Sequence, residues 1–206
     1  MKIFPELNNK RWLNVNLNEE SKKTKADLSD PNICKKWINE LHVKNNVDFS
    51  YGGFLEDRSN IWRNQYNKKT GAFIHLGVDF NVPEGTKVAL PKKAVVEHIM
   101  IDKDQNGGWG GRVIFKIEGE ENYILFGHLN KNISLKKGDV VEAGEIFAEV
   151  GRIDENGGWF PHLHVQMMSD EFMELFKENL AKIDGYAKEK DLILKYVINP
   201  MKYIRV

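Results

Sequence analysis

The run I-H-L-G-V-D-F at residues 74–80 sets the tightest constraint on how this chain can fold. It places His75 and Asp79 four residues apart among apolar and β-branched neighbours. On a regular strand that spacing separates two side chains by about 13 Å. Gly77 and the β-branched Val78 disfavour the helix that would bring them together. The run therefore reads as a strand bent at Gly77. A second run, P-H-L-H-V at residues 161–165, puts His162 and His164 at i, i+2. On a strand both imidazoles share one face and Leu163 points into a core. Together the two runs offer four side chains, three of which can bind one zinc ion and leave a coordination position open. Spacing alone does not say which three, because both imidazoles of an H-x-H pair can reach one metal. Of the six histidines, only His75, His128, His162 and His164 sit in short apolar runs flanked by glycine or proline; His42 and His98 do not.

In these segments the sequence resembles the lysostaphin-type zinc endopeptidases, which cut peptide bridges in bacterial peptidoglycan. The resemblance runs from about residue 73 to 168. It begins at H-L-G-V-D-F-N-V-P-E-G-T-K-V-A-L-P (75–91), continues through F-G-H-L-N (126–130) and K-K-G-D-V-V-E-A-G-E-I-F-A-E-V-G (136–151), and closes on P-H-L-H-V-Q (161–166). It implies that His75, Asp79 and His164 hold one zinc ion per chain. It further implies that His128 and His162 line the site as general base and transition-state partner, without saying which is which. The chemistry is coherent. Zinc held by two neutral imidazoles and a carboxylate polarises a carbonyl and brings a bound water toward a pKa of about 7. The chain has no H-E-x-x-H helix to supply a glutamate base, and histidine, with an unperturbed pKa of about 6.5, can serve instead.

The sequence also departs from the family. Phe126 stands where many members have a tyrosine two residues before the middle histidine, and Gln166 where a glutamate commonly follows H-L-H. The approach to H-L-H is E-N-G-G-W-F-P (155–161) rather than a Gly/Ser/Thr-rich segment. None of these removes a mapped ligand; they bear on substrate preference. The tetrapeptide N-G-G-W occurs at residues 106–109 and again at 156–159. Glycine pairs let backbone approach a ligand and tryptophan gives a flat wall, so Trp109, Asn156 and Trp159 are candidate substrate contacts, and Phe126, at the family's tyrosine position, is a fourth. D-K-D-Q-N-G (102–107) matches half of a calcium loop, but Val113 stands where a bidentate glutamate is needed, so it reads as a turn.

With 206 residues and 41% hydrophobic composition the chain can bury one good core. Thirty basic and thirty acidic residues cancel, which argues against a nucleic-acid partner and gives no general attraction to an anionic cell wall; the peptide or peptidoglycan-fragment substrate is what the family resemblance implies. Cys34 is the single cysteine, so no internal disulfide can form. The opening residues hold no apolar stretch of signal-peptide length and no run approaches a membrane span, from which a cytoplasmic location is expected.

The expected architecture is mainly β, an antiparallel barrel or sandwich core with helical N-terminal and C-terminal additions. Residues 1–72 read as an extension packing on the core. Within it, Asp30 and Pro31 cap a helix whose docking stripe is Ile33, Trp37 and Leu41, and residues 51–73 form a lid or a covering segment. Residues 73–206 read as the peptidase domain, with a helical insertion at about 169–198 in which Phe172, Phe176 and Leu180 share a stripe. The tail N-P-M-K-Y-I (199–204) resembles the family's closing segment. Two rival functions remain at this stage. One is a zinc-binding regulator or scaffold without turnover. The other is a carrier module, since residues 136–147 resemble a hammerhead hairpin; such a carrier has no need of Asp79.

Overall fold

The structure is a computed structural model describing residues 2–62, 66–188 and 195–206. Its strands are β1 (Trp12–Asn14), β2 (Phe49–Gly52), β3 (Ile74–His75), β4 (Val78–Asn81), β5 (Lys87–Ala89), β6 (Ala94–Ile101), β7 (Gly111–Ile117), β8 (Asn122–Leu129), β9 (Val140–Val141), β10 (Ile146–Glu149), β11 (Leu163–Ser169), β12 (Tyr186–Ala187) and β13 (Val197–Ile198). Helices α1 (Leu17–Ser21), α2 (Pro31–Asn45), α3 (Ser59–Trp62) and α4 (Asp170–Leu175) are short apart from α2. The protein is mainly β.

One large sheet runs in the order β1-β2-β4-β11-β8-β7-β6-β9, with β13 added along β11. It is antiparallel except for the parallel pair β1–β2. Its end strands β1 and β9 do not pair with each other, so the sheet is open and the barrel, one of the two expected forms, is not formed. The reason lies in the extension. Its strands β1 and β2 add to the β4 edge and continue the sheet outward, so residues before 73 are structural members of the sheet as well as a cover.

Period-two alternation sorts the two faces of this sheet. Val78 and Phe80 of β4, Val113 and Phe115 of β7, Ile124 and Phe126 of β8, and Leu163, Val165 and Met167 of β11 belong to one buried cluster. Val88 of β5 and Phe147 and Ala148 of β10, a separate two-stranded pair, belong to the same cluster. The opposite face carries Asp79, His164 and Gln166, beside a smaller cluster formed by Leu76, Ile114, Leu125, Met168, Phe172 and Ile183.

Helix α2 starts as expected, with the Asp30 carboxylate accepting from the amides of Asn32 and Ile33, and ends on Asn46 in the left-handed region. Its docking face is centred one residue further on, with Trp37 and Leu41 of the expected stripe packed at its margin. Cys34, Ile38 and His42 are the buried positions, while Ile33 is 41% exposed. The polar His42 belongs to this stripe because its Nε2 meets Ser50 Oγ at 2.8 Å, which satisfies it in the interior. Burial also pushes the Cys34 thiol pKa up, leaving it inert.

The C-terminal stretch differs from expectation. Among the described residues of the helical insertion expected at about 169–198, α-helix is confined to α4, capped by Ser169 and followed by a single 3₁₀ turn at Leu180–Lys182. Of the apolar run 192–198, residues 192–194 lie outside the described residues and Val197–Ile198 form strand β13. In place of a helical insertion, this stretch delivers β12 against β3, with Tyr186 opposite His75. No described helix is long and apolar enough to cross a membrane.

Candidate metal centre

The expected bend is present: β3 ends at His75, Leu76 and Gly77 turn the chain, and β4 begins at Val78. His75 Nε2 consequently lies 3.3 Å from Asp79 Oδ1. Gly77 is required by close approach, since a Cβ there would stand 2.6 Å from the His164 ring and from the Val165 carbonyl oxygen. Strand pairing places His164 directly opposite Asp79, and His164 Nδ1 lies 3.0 Å from both Asp79 Oδ1 and His75 Nε2. Leu163 points into the core. His75, Asp79 and His164 are thus brought together as three buried groups that could hold a metal ion.

The protons around this trio can be assigned from its outer partners. His75 Nδ1 is 3.0 Å from the Gly53 carbonyl, which only accepts, so Nδ1–H donates and Nε2 keeps a lone pair. His164 Nε2 sits 3.3 Å from Gln166 Oε1, which likewise leaves Nδ1 bare. Asp79 adds a carboxylate oxygen. Three lone pairs face one another, and a cation satisfies all of them. Their separations of 3.0–3.3 Å match the roughly 3.3 Å expected between donors about 2.0–2.1 Å from a tetrahedral zinc. The donor set fits the metal.

The remaining two histidines lie beside this trio. The rings of His128 and His162 are 4.4 Å apart, and that of His128 is 6.2 Å from His164. His128 reaches this face through a defect in β8. Its φ is +61°, a region non-glycine residues seldom occupy, and the β7–β8 register slips so that Gly127 and His128 together oppose Arg112. Without that bulge His128 would share the core face of Phe126, and Leu129 would leave it. The same bulge corrects the expectation for Phe126, which is fully buried among Phe115 and Phe147 and is no substrate contact.

Burial dominates the electrostatics. It pushes the His75 pKa down to about 4, with the Arg58 guanidinium adding to the effect. It lowers His128 well below the ordinary histidine value and lowers His162 too. Burial works to raise the Asp79 pKa, but interaction with the His75 ring and the Arg58 guanidinium holds it well below the usual carboxylate range. His75, His128 and His162 therefore rest neutral beside an ionised Asp79 carboxylate.

The two N-G-G-W loops belong to this cavity and pack against each other. Gly107 N donates to Gly157 O at 3.0 Å, and a Cβ on Gly157 or Gly158 would run into the Gly108 or Gln105 carbonyl. Trp109 stacks on His128 at 5.7 Å and meets His164 edge-on at 5.2 Å. Trp159 stands edge-on to His162 at 5.1 Å, while its Nε1 donates to Leu28 O and its ring packs on Trp62. Asn156 supplies the carbonyl that His128 Nδ1 uses.

Sequence reasoning missed Arg58, Trp62, Gly185 and Tyr186, which line the same cavity of about 50 Å³. Gly185 lies over the trio, 3.4 Å from His164 counted from the Cβ it lacks, and its carbonyl accepts from Leu76 N. Arg112 fixes this segment to the sheet by donating to the Ile183 and Leu180 carbonyls. No spacing signal links these residues to His75 or Asp79; the aromatic and arginine content of residues 51–62 was the only hint.

Comparison with known proteins gives a consistent picture. The profile of peptidase family M23 matches residues 73–174. The chain is 37% identical over 92 residues to a protein of Haemophilus influenzae described as an uncharacterized metalloprotease, covering 45% of this chain and 18% of that protein. It is 30% identical over 145 residues to lysostaphin of Staphylococcus staphylolyticus, covering 64% and 29% respectively. It is 32% identical over 94 residues to the DD-carboxypeptidase/endopeptidase Mpg of Neisseria meningitidis serogroup B, covering 45% and 20%. The matches thus span less than a third of the length of each of these relatives.

Proposed function

Through residues 73–174 this chain belongs to peptidase family M23, and from that premise we propose that it is a zinc-dependent metallopeptidase hydrolysing peptide bonds in peptidoglycan-derived or other short peptides. The observation that carries the reading is the convergence of His75 Nε2, Asp79 Oδ1 and His164 Nδ1 in a cavity that also holds two imidazoles outside the donor set. His75, Asp79 and His164 would hold one zinc ion, which when bound supplies a Lewis acid and a water nucleophile available near neutral pH.

The chain's own residues supply the proton chemistry. His128 Nδ1–H donates to Asn156 O and His162 Nδ1–H to Phe160 O, each at 2.7 Å. In both rings Nε2 is the nitrogen left to take a proton, and burial keeps both rings neutral until they do. Whichever ring takes the proton gains an Nε2–H that can hydrogen-bond the developing oxyanion or return the proton to the leaving amine. Trp109, Asn156 and Trp159 form the wall against which the peptide lies. The relatives' names, a metalloprotease and a DD-carboxypeptidase/endopeptidase, support the peptide class, and the lysostaphin-type motifs support peptidoglycan as its source.

The test is metal analysis of the purified protein, followed by digestion of intact sacculi, soluble muropeptides and ordinary peptides with and without chelator. Stoichiometric zinc and chelator-sensitive release of new amino termini are expected. Tight zinc with no cleavage of any of these substrates would favour a zinc-binding regulator instead. Failure to bind zinc would overturn the metal reading altogether.

A further inference from the structure

Asp79 has two carboxylate oxygens, and only one faces the trio. Oδ1 lies toward His75 and His164, whereas Oδ2 accepts from Arg58 Nη1 at 2.6 Å. Arg58 is 1% exposed, and its Nε donates in turn to Glu56 Oε2 at 3.2 Å. Glu56 is itself buried, and its other oxygen accepts from the Asn18 amide of helix α1. The guanidinium is thus a rigid fork between two buried carboxylates, a role for which its planar geometry is suited and a lysine's is not.

The backbone carrying this fork is tied to the same place. Arg58 N donates to Phe73 O, and Asp57 bridges Ile74. Gly53 O holds His75 Nδ1, and Gly53 has φ +101°, with a hypothetical Cβ only 2.3 Å from Arg58 Nη2 and 2.8 Å from His75 Nδ1. Residues 53–58 therefore grip two of the three donors from behind. All of them precede the family-matched region, which starts at residue 73.

We propose that Arg58 is a positioning residue of the metal centre, fixing Asp79 so that Oδ1 alone is presented to the cation, and that residues 53–58 are a working part of the site. The inference rests on the zinc reading above. It makes a prediction of definite sign. A guanidinium next to a cation site repels the cation, so if charge alone mattered, removing Arg58 would tighten zinc binding. If Arg58 positions Asp79, its loss should instead weaken binding by about 10–100-fold, the usual scale for groups that orient a ligand.

The experiment measures zinc affinity by competition with a chromophoric chelator, together with the visible spectrum of the cobalt-substituted protein, for wild type, Arg58→Gln, Arg58→Lys and the double variant Arg58→Gln/Glu56→Gln. The double variant removes one positive and one negative charge together, so it covers the case in which an unbalanced buried charge stops Arg58→Gln from folding. Weaker zinc binding is expected in each folded variant, with Arg58→Lys recovering only part of it. A fall in cobalt absorption is expected too, as Asp79 becomes able to offer both oxygens and the coordination number rises. Zinc affinity equal to or tighter than wild type in any folded variant, with an unchanged cobalt spectrum, would overturn the proposal. Wild-type protein that binds no zinc would fail the metal reading first, and so separates the two.

Discussion

His75, Asp79 and His164 meet through side chains carried by three different strands, whereas His128 and His162 each lean on a main-chain carbonyl of the adjoining loop. The first group contains a full charge and is held from behind by residues 53–58 and by Gln166. The second is neutral, packed between Trp109 and Trp159, and held within 155–162. The difference teaches that one cavity is exposed to two kinds of damage. Altered charge should break the donor trio, and altered loop geometry should break the imidazole pair.

The largest expected effect comes from Asp79→Ala. A three-donor site has none to spare, so zinc content should fall to background. The change also leaves the buried Arg58 with Glu56 alone, among the described residues, as a full counter-charge, which should cost about 3 kcal/mol of stability. Elemental analysis and chemical denaturation read the two consequences separately. Stoichiometric zinc in this variant would break the assignment of the trio.

His128→Ala and His162→Ala should do the reverse. Zinc stays bound, since neither belongs to the donor set, while turnover falls by about 10²–10⁴-fold. Loss of zinc in either variant would erase the distinction between the two groups.

A pH series sharpens it further. His75, His128 and His162 all have folded-state pKa values below the ordinary 6.5, chiefly through burial. Below 6.5 the unfolded chain therefore binds protons that the folded chain refuses. Stability is fully present above pH 6.5 and is lost as pH falls toward 4. From its shift to about 4, His75 alone contributes on the order of 3 kcal/mol in that window. Denaturation of the metal-free protein at pH 7 and pH 4.5 measures it, and a flat profile would contradict neutral burial of these rings.

The smallest effect is expected from Trp109→Ala. Its ring covers His128 and His164 at the cavity, so KM should rise about 10-fold with a smaller change in kcat. Trp159 is the poorer probe, because it also packs on Trp62 and Phe160 and donates to Leu28, so its removal should lower the melting temperature as well.

The bend at Gly77 and the facing of Leu163 were legible because they follow from local geometry: a two-residue side-chain period and the reach of one turn. The docking face of α2 is centred one position past the expected stripe, whose Trp37 and Leu41 pack at its margin, because a partner 8 residues away, Ser50, lets His42 be buried. Phe126 was named a substrate contact because it stands at the family's tyrosine position, and burial at 0% exposure takes it out of the cavity. Alternation puts residues 126 and 128 on one face, and nothing in F-G-H-L announces the bulge at His128 that separates them.

What the sequence by itself determined was therefore the mainly β class, from short β-branched runs broken by turns, and the family resemblance, which in turn implied the five side chains that converge. The tertiary structure decided that the sheet stays open, that 170–187 delivers a strand over His75 in place of a long helix, and that Arg58 is the partner of Asp79. Each of these joins residues 21 or more positions apart in the chain. Pairings of that kind are selected by which edge is left unpaired and which buried charge still lacks a partner, and neither is defined until the rest of the fold is in place.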